Sequence, residues 1–143
     1  PTRSCEDIDK LIALDKEQLK NQCHYVYETI EEIAAKLNNE IPILGFAGAP
    51  WTLASYMIEG GGSKDFAHIK KMMYLQPQAM HLLLEKLTIS VSNYLLNKLD
   101  TGVHALQLFD TWASVLSQKD YQEFALPYQQ KIVSNIREKY PNA

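Results

Sequence analysis

Side chains able to carry chemistry fall in two stretches of this chain, Gly48 to Lys64 and Asp110 to Ser117. In the second, Asp110 directly follows an apolar run, a position that suits a general acid or base but equally a carboxylate that braces the backbone. With no partner marked by spacing, the bracing role is the preferred one. Thr111 and Tyr56 offer neutral hydroxyls, which orient a substrate well and serve poorly as bases at neutral pH. Gly60-Gly61-Gly62-Ser63-Lys64 resembles a phosphate-binding loop only in composition. That loop requires Gly-Lys-Ser/Thr after a strand, and here serine precedes lysine, so a connector or lid is expected instead. His24, His68, His81 and His104 are scattered with no HxxxH or HxC pair, and Cys5 and Cys23 make no CxxC, so no metal site is expected. His104, which starts an apolar run, is expected to be a hydrogen-bonded core or edge residue. For Trp51 and Trp112, loop packing is preferred over ligand stacking.

The elements that hold these groups follow from periodicity. Leu19, Cys23, Val26, Tyr27, Ile30, Ile33, Ala34 and Leu37 step by three and four, predicting one helix with a single buried stripe that ends at Asn38-Asn39. Ile41 to Ala47 is nearly all apolar and predicts a strand buried on both faces of a parallel sheet. Gly48-Ala49-Pro50 ends it in a turn, and Pro50 suits the first turn of a short helix through Tyr56. The glycine triplet breaks that helix. Pro77 opens a long helix carrying Met80, Leu83, Leu84, Leu87, Val91, Tyr94, Leu95 and Leu99, closed near Gly102. Val103 to Phe109 is the second buried strand, and Ser117 with Asp120 predicts a capping box for a last helical stretch interrupted at Pro127.

Helix, strand, short helix, glycine loop, long helix, strand and helix in that order predict consecutive βα units around a parallel sheet. In such folds functional groups gather where strands end on the C-terminal side, which is where both stretches lie. A complete α/β barrel needs about 250 residues, against 143 here. Pro1-Thr2-Arg3-Ser4-Cys5 reads as a chain entered mid-stream. A net charge of −3 and two arginines, Arg3 and Arg137, exclude the basic surface that nucleic acid demands. No apolar run approaches the ~20 residues of a membrane span, and the two thiols are expected to be reduced and cytosolic.

Four blocks carry a resemblance: Gly45-Phe46-Ala47-Gly48-Ala49-Pro50-Trp51-Thr52-Leu53, Tyr56-Met57-Ile58-Glu59-Gly60-Gly61-Gly62-Ser63, Leu108-Phe109-Asp110-Thr111-Trp112-Ala113 and Phe124-Ala125-Leu126-Pro127-Tyr128. In order and over residues 40 to 140, the chain resembles the uroporphyrinogen decarboxylase family. The resemblance implies an α/β fold, a helix-rich part of a (β/α)8 TIM-like barrel. Residues 1–143 would be the middle portion of a single domain whose N- and C-terminal parts are missing. It implies a cytoplasmic, homodimeric lyase of haem biosynthesis, acting on the small molecule uroporphyrinogen without a cofactor or metal. Four acetate arms of uroporphyrinogen III would become methyl groups, giving coproporphyrinogen III.

Tyr56, Thr111 and Phe109 match family residues that contact substrate or line its pocket. Asp110 lies inside a matching motif without a catalytic role. The family's catalytic aspartate, its arginine-rich motif and its late histidine match nothing in this chain, the aspartate belonging before Pro1, so the 143 residues alone are expected to be inactive. A related barrel methyltransferase with zinc would need His-x-Cys ligands, which are missing here. A non-catalytic helical interaction fragment is the third possibility, suggested by the apolar faces an unfinished barrel would expose.

Overall fold

The computed structural model describes residues 1–38 and 40–143. Along the chain run α1 (Cys5–Lys10), α2 (Lys16–Gln22), α3 (His24–Leu37), β1 (Leu44–Gly48), α4 (Pro50–Glu59), α5 (Ala67–Leu75), α6 (Pro77–Asp100) and β2 (Ala105–Phe109). A short 3-10 helix (Thr111–Val115), α7 (Gln118–Phe124) and α8 (Leu126–Lys139) follow. The two strands are parallel neighbours, with Leu44 opposite Ala105 and Gly48 opposite Phe109. The segment between them supplies the crossover that parallel pairing requires.

Local chemistry explains most element ends. Ser4 with Asp7 and Asp15 with Gln18 form reciprocal capping boxes at α1 and α2. Pro50 and Pro77 stand in the first turns of α4 and α6, where a missing N–H leaves no bond unmade. Gly60 ends α4 with φ of 81°, a left-handed conformation that costs glycine no Cβ clash, and its N–H donates to the Tyr56 carbonyl at 2.9 Å. Ser117 caps α7 by accepting from the Asp120 N–H. The Asp120 carboxylate does not complete a box; it accepts from the hydroxyls of Ser117 at 2.7 Å and Tyr74 at 2.9 Å. The helical stretch pauses at Ala125, and Pro127 then sits in the first turn of α8.

Three expectations change. The single helix over residues 19–37 is two, because Cys23 leaves the helical region (φ −115°, ψ 23°) and serves as both the end of α2 and the start of α3. Asn38 then stops α3 in the left-handed region, whereas Asn39 lies outside the described residues. The strands begin at Leu44 and Ala105, not at Ile41 and Val103, and neither is buried on both faces. Gly45 and Ala47 are buried, while Leu44, Phe46 and Phe109 are exposed on the opposite face. Helix α6 covers one side of β1. Gly45 leaves room for the side chains of the β2 segment, since a Cβ there would stand 3.1 Å from Leu106 and 3.2 Å from Val103. Among the described residues nothing covers the other face. Pro50 to Tyr74, longer than a crossover needs, folds into α4 and α5.

Two apolar clusters meet along α6. Trp51, Ile58, Ile69, Met73, Met80, Leu83 and Leu84 form one, beneath α4 and α5. Ala47, Val91, Leu95, Ile132 and Ile136 join β1, α6 and α8 in the other. The predicted stripe of the long helix is thus its buried face.

A polar row on α6 straps the N-terminal segment down. Lys86 donates to the carbonyls of Ile8 and Leu11, Ser90 accepts from the Leu14 N–H, Asn93 donates to the Leu14 carbonyl, and Asn97 donates to the Lys16 carbonyl. Asp100 ends the row, paired with Lys16 and Lys139 and accepting from the Tyr140 hydroxyl. Partial burial opposes its charge, but bonds from Lys16, Tyr140 and Lys139 outweigh that and hold the carboxyl at about 2, below its ordinary 3.8. With the folded value depressed, its stabilisation is complete above about pH 5 and is lost as the pH falls through 4 toward 2. The carboxylate is 38% exposed, so screening limits the effect to about 1 kcal/mol or less. Denaturant midpoints of wild type and Asp100→Asn should therefore differ at pH 6 and converge near pH 2. A gap that persists at pH 2 would assign the loss to packing.

Candidate functional site

The C-terminal ends of β1 and β2 lead into α4 and the 3-10 helix, the elements that carry Tyr56 and Thr111. Tyr56 projects from the second turn of α4 and is 45% exposed. Its ring meets Trp112 edge-on, with centroids 6.1 Å apart. Thr111 is the covalent neighbour of Trp112 and is exposed, so the residue that carries its hydroxyl adjoins the ring that Tyr56 meets. Neither hydroxyl has a hydrogen-bond partner among the described residues, which leaves both free for a ligand. Phe109, two residues earlier, lies 48% exposed on the open face of the sheet.

The turn that presents Thr111 is pinned from both sides. Thr52 Oγ1 donates to Asp110 Oδ1 at 2.7 Å and accepts the Trp112 N–H at 3.1 Å. From α8, Gln129 Nε2 donates to Asp110 Oδ2 at 2.5 Å, and Gln129 Oε1 accepts from Tyr121. Trp51 Nε1 donates to the Trp112 carbonyl at 3.0 Å, and the Ala49 N–H donates to the Phe109 carbonyl at 2.7 Å. Both Asp110 oxygens thus accept bonds from neighbouring elements, the bracing role preferred from sequence. The two tryptophans pack as expected. Trp51 is fully buried, and Trp112 packs against Phe66 with the rings tilted by 51° and centroids 4.9 Å apart, its own Nε1 buried without a partner among the described residues.

Three residues of this wall escape a sequence reading. Phe46, 57% exposed, stands edge-on to Phe109 at 5.9 Å and extends the aromatic surface. Thr52 is the junction of the pinned turn. Lys98, buried behind β1, donates to the Phe46 carbonyl at 2.7 Å and lies over the Tyr94 and Phe46 rings, 4.3 and 5.0 Å from their centroids. Burial lowers its pKa from the usual lysine value. A lysine inside the Leu95 to Leu99 stripe of α6 was the available signal, since an unpaired buried ammonium is costly.

Other candidates take structural places. Arg3 donates to the Ile58 and Glu59 carbonyls and so caps the helix that carries Tyr56. His104 is an edge residue, its Nδ1 accepting from the Ile43 N–H at 3.0 Å. Ser63 accepts from the Phe66 N–H, the start of α5 rather than a phosphate cradle. Among the described residues no three His, Cys, Asp or Glu side chains converge on one point. A cavity of about 740 Å³ runs along α8 past Gln130, Val133 and Arg137. It includes neither the Tyr56 nor the Thr111 hydroxyl.

A profile of the uroporphyrinogen decarboxylase (URO-D) family matches residues 1–143. The uroporphyrinogen decarboxylase of Chlorobaculum parvum is 49% identical over 139 residues, covering 97% of this chain and 39% of that relative. The one from Chlorobium limicola is 48% identical over 140 residues, with 98% and 39% covered. That of Klebsiella pneumoniae is 48% identical over 136 residues, with 95% and 38% covered. The chain spans about two fifths of the length of these curated relatives.

Proposed function

The chain belongs to the uroporphyrinogen decarboxylase family, and on that premise we propose that it forms one wall of a uroporphyrinogen decarboxylase active site. The complete enzyme removes four carboxyl groups from uroporphyrinogen III as carbon dioxide and yields coproporphyrinogen III. The paired strands, with α6 and α8 behind them, are read as one sector of a single-domain (β/α)8 barrel. The open face with Leu44, Phe46 and Phe109 is its interior. A cytoplasmic homodimer working without a cofactor completes the reading, carried over from the family. No described helix is long and apolar enough to cross a membrane.

The observation that carries the reading is the rim itself. Tyr56 leans on Trp112, the residue after Thr111, Phe109 ends β2 two residues before Thr111, and the hydroxyls of Tyr56 and Thr111 have no partner among the described residues of a chain whose whole length matches the family. In the reaction, protonation of a pyrrole creates the cation that accepts the electron pair released when the carbon–carboxyl bond breaks. A carboxylate elsewhere in the enzyme stabilises that cation. Tyr56 and Thr111 donate hydrogen bonds to the substrate's polar arms and hold the reacting arm in place, while Phe109 and Phe46 pack against its rings. Neither hydroxyl moves the catalytic proton.

Anaerobic turnover of uroporphyrinogen by the complete enzyme, with products separated by carboxyl number, tests the assignment. Tyr56→Phe should weaken transition-state binding by about 1–3 kcal/mol, roughly five- to 150-fold in kcat/KM, through loss of one orienting bond. Thr111→Val should be harmful and Thr111→Ser mild, since the role uses the hydroxyl. Unchanged kinetics in Tyr56→Phe would remove that residue from the site, and equal damage from both Thr111 variants would point to packing. A complete enzyme that leaves uroporphyrinogen untouched would overturn the assignment.

A further inference from the structure

The rim hydroxyls stand on two elements far apart in sequence, α4 and the turn after β2, and one buried side chain joins these elements. Thr52 lies one helical turn before Tyr56, with 5% of its surface exposed. Its hydroxyl gives its single proton to Asp110 and takes the N–H of Trp112, so it bonds to both neighbours of Thr111 and leaves Thr111 itself free. Gln129 holds the second Asp110 oxygen and prevents the carboxylate from swinging away. Trp112, fixed by this clasp, is the ring on which Tyr56 leans.

We propose that Thr52 is a positioning residue of the active site, which sets the geometry of the Thr111 and Tyr56 hydroxyls through Asp110 and Trp112 without touching substrate. The inference rests on the functional reading above. A methyl in place of the hydroxyl would leave the Asp110 oxygen and the Trp112 N–H unpaired in a largely buried place, and the turn would relax to find other partners. A loosened turn lowers the fraction of bound substrate held in the reactive pose. The loss therefore falls on kcat, because ground-state binding is shared with the rest of the pocket.

The test uses the complete enzyme with Thr52→Val, Thr52→Ser, Thr111→Val and the double variant Thr52→Val/Thr111→Val. Thr52→Val is expected to remain folded and to lose about tenfold or more in kcat with KM changed less than about threefold. Thr52→Ser should return kcat to within about threefold of wild type. In the Thr111→Val background, Thr52→Val should cost clearly less than it does alone, because the group it positions is already gone. Hydrogen exchange at the Trp112 amide should speed up in Thr52→Val and stay slow in Thr52→Ser, a readout independent of turnover. Full kcat in Thr52→Val, or losses that multiply in the double variant, would overturn the proposal while leaving the functional assignment intact. A wild-type enzyme without decarboxylase activity would instead overturn that assignment, and the proposal with it.

Discussion

Replacing Trp51 by alanine should remove about 3–5 kcal/mol of folding stability, the cost of deleting a large aromatic side chain from a packed interior. Trp51 is fully buried, and its cluster joins α1, α4, α5, α6 and α7 through Ile8, Ile58, Ile69, Met80 and Phe124. The helices around it are held by one another and cannot collapse into the space left behind. Its Nε1 also ties α4 to the Trp112 carbonyl at 3.0 Å. Against a typical total of about 5–15 kcal/mol, such a loss is a large share of the protein's stability. Trp51→Phe separates the two contributions, since it keeps most of the packing and drops the hydrogen bond, for about 1–2 kcal/mol. Urea unfolding of both variants gives the comparison. An alanine variant within 1 kcal/mol of wild type would contradict the central place given to this ring.

The second large effect is expected at Lys98, where charge sign and side-chain length can be tested separately. Its stem runs beneath Gly45, and its ammonium ends between the Phe46 carbonyl and the faces of Phe46 and Tyr94. All three partners present negative charge density, so the site is built for a cation. Lys98→Met keeps the stem and loses the bond, and should cost about 1–2 kcal/mol. Lys98→Glu buries an anion against a carbonyl and two π faces with no donor, and should cost about 3 kcal/mol or more. Chemical denaturation of the two variants distinguishes these effects. Equal losses would show that only the volume of the side chain matters there.

Helix α6 was legible from its stripe and from Pro77, and α4 from Pro50 and the glycines, because these signals act within one or two turns of backbone. The strand ends that carry Phe109 and Thr111 were legible too, since an apolar run followed by Asp-Thr-Trp marks a local change of conformation. The break at Cys23 was not. The apolar spacing runs through it without proline or glycine, and the chain bends there so that α2 and α3 pack separately on α6. One-sided burial of the strands was equally hidden, because an apolar run looks the same whether helices cover one face or two.

Composition, periodicity and turn chemistry by themselves determined the βα order, the parallel sheet expected from it, the lack of a basic surface and the two stretches where polar groups could act. The motif blocks added the family and the residues Tyr56, Thr111 and Phe109. Only the tertiary structure decided which groups are free and which are spent. Thr52 and Asp110 are 58 residues apart and Gln129 a further 19 beyond, yet pairing β1 with β2 in one register sets them within hydrogen-bonding distance. Helix and strand signals act over a few bonds, whereas a hydrogen bond across elements depends on angstrom-scale placement by every helix between them. That is why Asp110 is committed to bracing its turn while the hydroxyl next to it remains open to a ligand.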